Sequence, residues 1–316
     1  MNRRLPLTAA LAIASLYICT APGGTVTARQ QQPPTFGVAN RTVAVYATVT
    51  NGQGRLVPDL VRENFTIEDN GKPQTLTLFS NDVQPITAVI LLDRSGSMKP
   101  NLELEERAAE AFLREMGPED KARVGSFAAR IQIDPEDFTS DRLALQKILR
   151  NDLQSDGPTP LWNAVDTGID KLLLEKGRRV IIVFTDGVDA PMNFSGHNKS
   201  LKDVMKRAEE DDVMIYAIGL AGENGMGGLG RGGRPTLEQP DEGLPKIAAS
   251  SGGGYFELQS PIQISSAFER VAIELHHQYA LGFTPEKLDG KMHDITVKLS
   301  KSDLKARARK RYLASK

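Results

Sequence analysis

Hydrophobic positions recur along this chain with three rhythms. In "TVAVYATV", Val43, Val45, Ala47 and Val49 alternate with their neighbours, the period of a strand with one buried face. "NGQG" and "DNGKP" turn the chain on either side of a second short strand, "FTIED", before "QTLTLFS". From residue 86 the rhythm changes. "PITAVILLD", "RRVIIVFTDG" and "VMIYAIGL" are nearly unbroken apolar runs, as expected of strands covered on both faces. Between and after them lie stripes of helical period: Leu104, Ala108, Phe112, Leu113 and Met116; then Leu161, Ala164, Val165, Ile169, Leu172 and Leu173; then Leu201, Val204, Met205 and Ala208; and last Ile264, Ala267, Phe268, Val271 and Leu275. A strand pair is predicted around 122–133 and a helix near 140–150. "LPKIAASSGGGYFEL" reads as a short helix, a glycine turn and an edge strand.

Alternating buried strands and helices predict an α/β fold, a doubly wound, mostly parallel, Rossmann-like sheet. Its ligands should bind beyond the carboxyl ends of the strands. After residue 276 the period returns to two, in "YALGFTP", in Ile295, Val297 and Leu299, and in "LKARARKRYL", read as a single strand. Neither the first strands nor the last suffice for a core alone. They are therefore expected to join as one small antiparallel β-sandwich into which the doubly wound domain is inserted. The alternative is that the tail pairs with a second copy of the chain.

The N-terminus obeys a different logic. Asn2-Arg3-Arg4 precedes "LPLTAALAIASLYICTA", and "VTA" at 26–28 suits a small-residue cleavage site. Residues 1–28 are read as a signal peptide, with an uncleaved anchor helix as the alternative, and the polar, proline-rich 29–37 as a linker. The rest divides into 38–85, the first part of the sandwich; 86–275, the doubly wound domain; and 276–316, the strands that close the sandwich. The leader implies export to a bacterial periplasm, envelope or exterior. Cys19, the sole cysteine, lies inside the leader, so no disulfide is expected. A net charge of −1 gives no global field for nucleic acid.

Two of the buried runs end in an acid. Asp93 begins "DRSGSM", so Asp93, Ser95 and Ser97 stand at alternate positions; Asp186 comes just after a strand in "VFTDGVD"; Thr159 opens a helix in "GPTPLW". A hard divalent cation takes about six oxygen ligands. Three hydroxyls and two carboxylates from three loops at one sheet edge can cradle one. Each fragment also has a plain reading: a turn at Ser95–Ser97, an N-cap at Thr159, a turn at Asp186-Gly187. Their coincidence at the same end of one sheet favours the site. Oxygen ligands admit Mg²⁺, with Mn²⁺ or Ca²⁺ as alternatives.

"VILLDRSGSM", "GPTPLWNAV" and "VIIVFTDGVD" resemble the three loops of a von Willebrand factor type A domain, over about residues 86–275, and together match its metal-ion-dependent adhesion site. The resemblance implies that Ser95, Ser97 and Thr159 bind the ion directly. It makes Asp93 and Asp186 holders of its waters or alternating ligands. It also implies a protein partner whose Asp or Glu carboxylate completes the coordination, and a last helix that shifts on binding. The flanks resemble a bacterial exported group known only as von Willebrand factor A-related.

Rival motifs are weaker. "GMGGLG" at 225–230 has dinucleotide spacing but leads into "RGGRPT" and not a helix. "DRSGSM" lacks the glycine of a nucleophile elbow, and His276-His277 suits the end of a helix. The basic "KARARKRY" reads as a solvated strand face, or as a contact with an anionic envelope surface. The expected function is a non-enzymatic adhesion module that recruits a protein through its cation. The alternatives are a metal-dependent enzyme or its accessory subunit, and an envelope protein with a vestigial site.

Overall fold

In the computed structural model, residues 42–153, 155–191, 198–221 and 239–315 are described. The leader, the linker, residues 38–41 and "GMGGLG" lie outside them. The chain begins with β1 (Val43–Thr50), β2 (Phe65–Asp69), β3 (Lys72–Gln74) and β4 (Leu76–Ser80). The inserted domain runs β5 (Ile86–Asp93), α1 (Leu102–Glu115), β6 (Lys121–Phe127), β7 (Ile131–Thr139), α2 (Arg142–Asn151), α3 (Leu161–Leu172), β8 (Arg178–Thr185), α4 (Leu201–Glu210), β9 (Val213–Leu220), α5 (Gly243–Ser251), β10 (Tyr255–Leu258) and α6 (Ile264–His276). Then come β11 (Tyr279–Phe283), β12 (Met292–Leu299), β13 (Lys305–Arg307) and β14 (Arg311–Leu313).

The inserted domain is built on a six-stranded sheet of order β10-β9-β8-β5-β6-β7, parallel except for the β6–β7 hairpin. Every residue of β5 and β9 is buried. The reason is that both sheet faces are covered. Helices α1, α2 and α6 pack one face through Phe112, Leu149 and Phe268, and α3, α4 and α5 pack the other through Val165, Val204 and Ile247. Local chemistry sets several helix ends. Asp141 accepts from the Leu143 and Ala144 amides at the start of α2, and Ser200 and Asp203 form a reciprocal cap on α4. Chain order reverses between β5 and β8, which is where such a sheet places its ligand.

Strands from the two ends of the chain are interleaved. One sheet has the order β13-β1-β11-β4 and the other β14-β12-β2-β3. Their inner faces meet in one core that includes Val45, Ile67, Tyr279, Phe283 and Ile295. The C-terminal run "LKARARKRYL" departs from its predicted form. It is two short strands, β13 and β14, in opposite sheets, with residues 308–310 crossing between them. The cause is its fit against the inserted domain. The Lys310 amide donates to the Ser250 carbonyl, and Gly252, in the left-handed region at φ +86°, leaves a gap that a Cβ would fill at 2.4 Å from the Arg309 nitrogen. Arg307 pairs with Glu274, Arg309 with Asp212 at 2.7 Å and Arg311 with Glu209 at 3.6 Å. The stretch read as a solvated face or envelope contact thus commits three arginines to ion pairs between the two lobes. Lys305 and Lys310 remain exposed.

Two buried groups hold the crossings. The Arg178 guanidinium donates to the Gln84 carbonyl before β5, to the Leu275 carbonyl at the end of α6, and to the Gln278 side chain beyond it. Asp120 accepts from the Ile86 and Gly117 amides and pairs with His276 at 2.8 Å. Burial works against the Asp120 carboxylate, but the bonds from His276 and the two amides outweigh it and hold the acid below its usual range. A depressed folded-state pKa contributes stability that is present above about pH 4 and lost as pH falls through the folded value. Asp120→Asn should therefore cost about 2 kcal/mol at neutral pH and flatten part of the acid side of the stability profile. Urea unfolding from pH 7 down to pH 3 reads both effects.

Candidate metal centre

The predicted site residues converge at the carboxyl edge of β5 and β8. Asp93 ends β5 and is fully buried. Its Oδ1 accepts from the Ser95 amide at 2.9 Å, and its Oδ2 accepts from the Thr185 hydroxyl. The Ser95 and Ser97 hydroxyls lie 3.1 Å apart, and Ser97 Oγ donates to Asp186 Oδ1 at 2.8 Å. Four of the five residues are thus linked in one chain of hydrogen bonds, from Asp93 through the Ser95 amide and then through the Ser95 and Ser97 hydroxyls to Asp186. The fifth, Thr159, is not used to cap its helix, because the N-cap of α3 falls on Pro160. Its Oγ1 lies 3.8 Å from where a Cβ on Gly187 would stand, beside Asp186.

Backbone bonds fasten the three loops to one another. The Asp156 amide donates to the Arg94 carbonyl at 2.8 Å and the Gly96 amide to the Gly157 carbonyl at 3.3 Å. Thr159 and Ala190 exchange two backbone bonds, of 2.8 and 3.3 Å. Gly157 has φ +134°, and a Cβ there would fall 2.5 Å from the Ala129 nitrogen, so only glycine fits this turn. At the rim, Lys99 bonds Asp156 at 2.9 Å, and Val188 is half exposed.

Thr185 is the residue that sequence reasoning missed. Its hydroxyl donates to Asp93 and accepts from the Gly187 amide, joining the ends of β5 and β8. The signal was present in "VFTDG", where Thr185 directly precedes Asp186. A second omission is Glu105 in the first turn of α1. It is fully buried, and neither carboxylate oxygen has a hydrogen-bond donor. Burial drives this acid well above its usual pKa; the Arg94 charge opposes that shift, and Asp93 and Asp186 add to it.

The donor set fits a hard cation. Hydroxyl and carboxylate oxygens suit Mg²⁺, Mn²⁺ or Ca²⁺, and the shortage of positive charge around Asp93, Glu105 and Asp186 is the electrostatic complement of a divalent ion. Among the described residues, no three His, Cys, Asp or Glu side chains are placed to hold a metal. An ion here would draw on the hydroxyls of Ser95, Ser97 and Thr159 beside the two carboxylates. The three described histidines stand elsewhere: His276 bonds Asp120, His277 bonds the Ile273 carbonyl, and His293 bonds Asp69 and Asp289 in the sandwich.

Thr185→Val keeps the side-chain shape and removes the bond to Asp93. It should lower stability by about 1–3 kcal/mol, measured by urea unfolding in EDTA. Burial also raises the Asp93 pKa, against the opposing bonds from Ser95 and Thr185. In metal-free protein that contribution is present below about pH 4 and lost as pH rises through the folded value. Removing divalent ions should thus destabilise the protein more at pH 7 than at pH 5, as read by melts with and without EDTA.

A model of the von Willebrand factor type A domain matches residues 88–270. A search of curated proteins finds no match. Solved structures similar to this chain include a von Willebrand factor type A protein from Catenulispora acidiphila, 11% identical over 79% of this chain and 73% of that one, with a TM-score of 0.48. Others are an aerotolerance-related membrane protein from Bacteroides fragilis (21% identical, 60% and 98% covered, TM-score 0.45) and the vWF domain of the type V pili tip protein Mfa5 from Porphyromonas gingivalis (13%, 61% and 95%, 0.43). With its doubly wound sheet and the three loops at the sheet's carboxyl edge, the chain belongs to the von Willebrand factor type A domain family.

Proposed function

We propose that this protein is an exported, non-enzymatic binding module that captures a protein partner through a divalent cation. The observation that carries the reading is the hydrogen-bonded chain that gathers the oxygens of Asp93, Ser95, Ser97 and Asp186, with Thr159 beside it. Ser95, Ser97 and Thr159 would hold the ion, and Asp93 and Asp186 would orient its water. The ion would supply a positive centre at this edge of the sheet. A carboxylate from a partner protein is the complementary ligand, because hydroxyl ligands leave most of the ion's charge uncompensated. Mg²⁺ is the expected ion, and Mn²⁺ or Ca²⁺ would satisfy the same donors. The binding reading is favoured over catalysis by the placement of the described histidines, none of which reaches the oxygen cluster. Export rests on the basic and apolar composition of residues 1–28.

Isothermal titration of the full chain with Mg²⁺ or Mn²⁺ tests the first half. Thr159→Ala should weaken binding at least about tenfold, and Asp93→Ala by a similar factor. Capture of a partner from envelope extracts tests the second half. It should be lost with EDTA and with Asp93→Ala; capture that survives both rejects the mechanism.

A further inference from the structure

We propose that Glu105 is a third carboxylate of the metal centre, placed behind the direct ligands and acting on the cation through its bound water. The inference rests on the proposed reading of the oxygen cluster as a cation site. It starts from an imbalance that the five predicted residues do not explain. Glu105 has no exposed surface, and neither of its oxygens receives a hydrogen bond. Among the described residues its one ion-pair partner is Arg94, whose Nε lies 3.4 Å away without hydrogen-bond geometry. The hydrogen bonds of Arg94 go elsewhere, from its terminal nitrogen to Glu106 at 2.9 Å and the Leu149 carbonyl at 3.5 Å.

A carboxylate taken out of water without donors is among the costliest groups to bury. After Arg94, the charges acting most on Glu105 are Asp93 and Asp186, and both repel it. Two acids therefore press on Glu105 from the oxygen cluster, and the guanidinium beside it is already bonded to another acid, Glu106. A divalent cation among Asp93, Ser97 and Asp186 would turn that repulsion into attraction. Its water would provide the donors that Glu105 lacks. Among the described residues no three acids are placed to hold a metal together, so Glu105 is assigned a place one water away and not one on the ion itself. Mg²⁺ keeps several waters when bound by protein, so a carboxylate one water removed has a defined task. Partners of this outer kind commonly change metal affinity by about 10–100-fold.

The test uses the full chain and Glu105→Gln, which keeps shape and removes charge. Titration with Mn²⁺ should show affinity weakened by about 10–100-fold, while Glu106→Gln, which alters the other partner of Arg94, stays near wild type. Thermal melts separate this role from that of a plain ion-pair partner. In EDTA, Glu105→Gln should match or exceed the wild-type midpoint, because a buried acid without hydrogen-bond donors has gone. In saturating Mn²⁺ it should fall below wild type. A midpoint lowered equally in both conditions, or unchanged Mn²⁺ affinity, overturns the proposal and leaves Glu105 as the partner of Arg94. Wild-type protein that binds no Mn²⁺ rejects the cation site itself, and Glu105's role with it. Should Glu105→Gln not fold, the double variant Arg94→Met with Glu105→Gln removes the pair together and should show the same loss of affinity.

Discussion

A domain inserted into another leaves and returns at two points, and both are held here by one buried guanidinium. Arg178 reaches the Gln84 backbone on the way in, and the Leu275 backbone and Gln278 side chain on the way out. It has no carboxylate within ion-pair distance among the described residues; the Tyr46 ring, 4.7 Å from its Cζ, covers it. Leu275 belongs to the last turn of α6, where free carbonyls and the helix dipole favour a cation. Asp120 repeats the device with opposite sign, through Ile86 at the entrance and His276 at the exit. The same anchoring positions the oxygen cluster at a distance. With the start of β5 and the end of α6 fixed, the order of the sheet decides where Asp93 and Asp186 emerge.

At that far edge the loops need no ion to find one another. Their backbones are bonded from loop to loop, and Thr185 links the two strand ends at side-chain level. The hydroxyls and carboxylates are thereby brought together in advance, which lowers the reorganisation that binding would require. The electrostatic cost stays in place: beside the buried acids of the cluster, Glu105 has no hydrogen-bond donor and the Arg94 guanidinium is half satisfied. A site of this kind is geometrically ready and electrostatically incomplete.

Most of this was legible in the sequence, for reasons that differ by element. The runs ending in Asp93 and Asp186 were readable because strands buried on both faces admit few polar residues. The five oxygen-bearing residues stood out because three separate loops carried them to one sheet edge. Thr185 was hidden by its position, since a threonine in a buried strand is ordinary until its partner is known. Glu105 looked like one acid among several in "LELEERAAE", and only packing reveals that it faces inward. The strand expected over "LKARARKRYL" failed for a tertiary reason. Alternating charge suggests a single solvated face, but the arginines answer acids on α6, α4 and the turn after α4. No local pattern in that stretch records Glu274, Asp212 or Glu209.

The interleaving of the sandwich has a consequence in time. Thr48 on β1 is bonded to Gln278 across 230 positions of chain, and β13 and β14 complete the two sheets only at the very end. Of the first four strands only β2 and β3 pair with each other; β1 and β4 must wait for β11, while the doubly wound domain between them carries its own core. A chain built this way closes last where it began first.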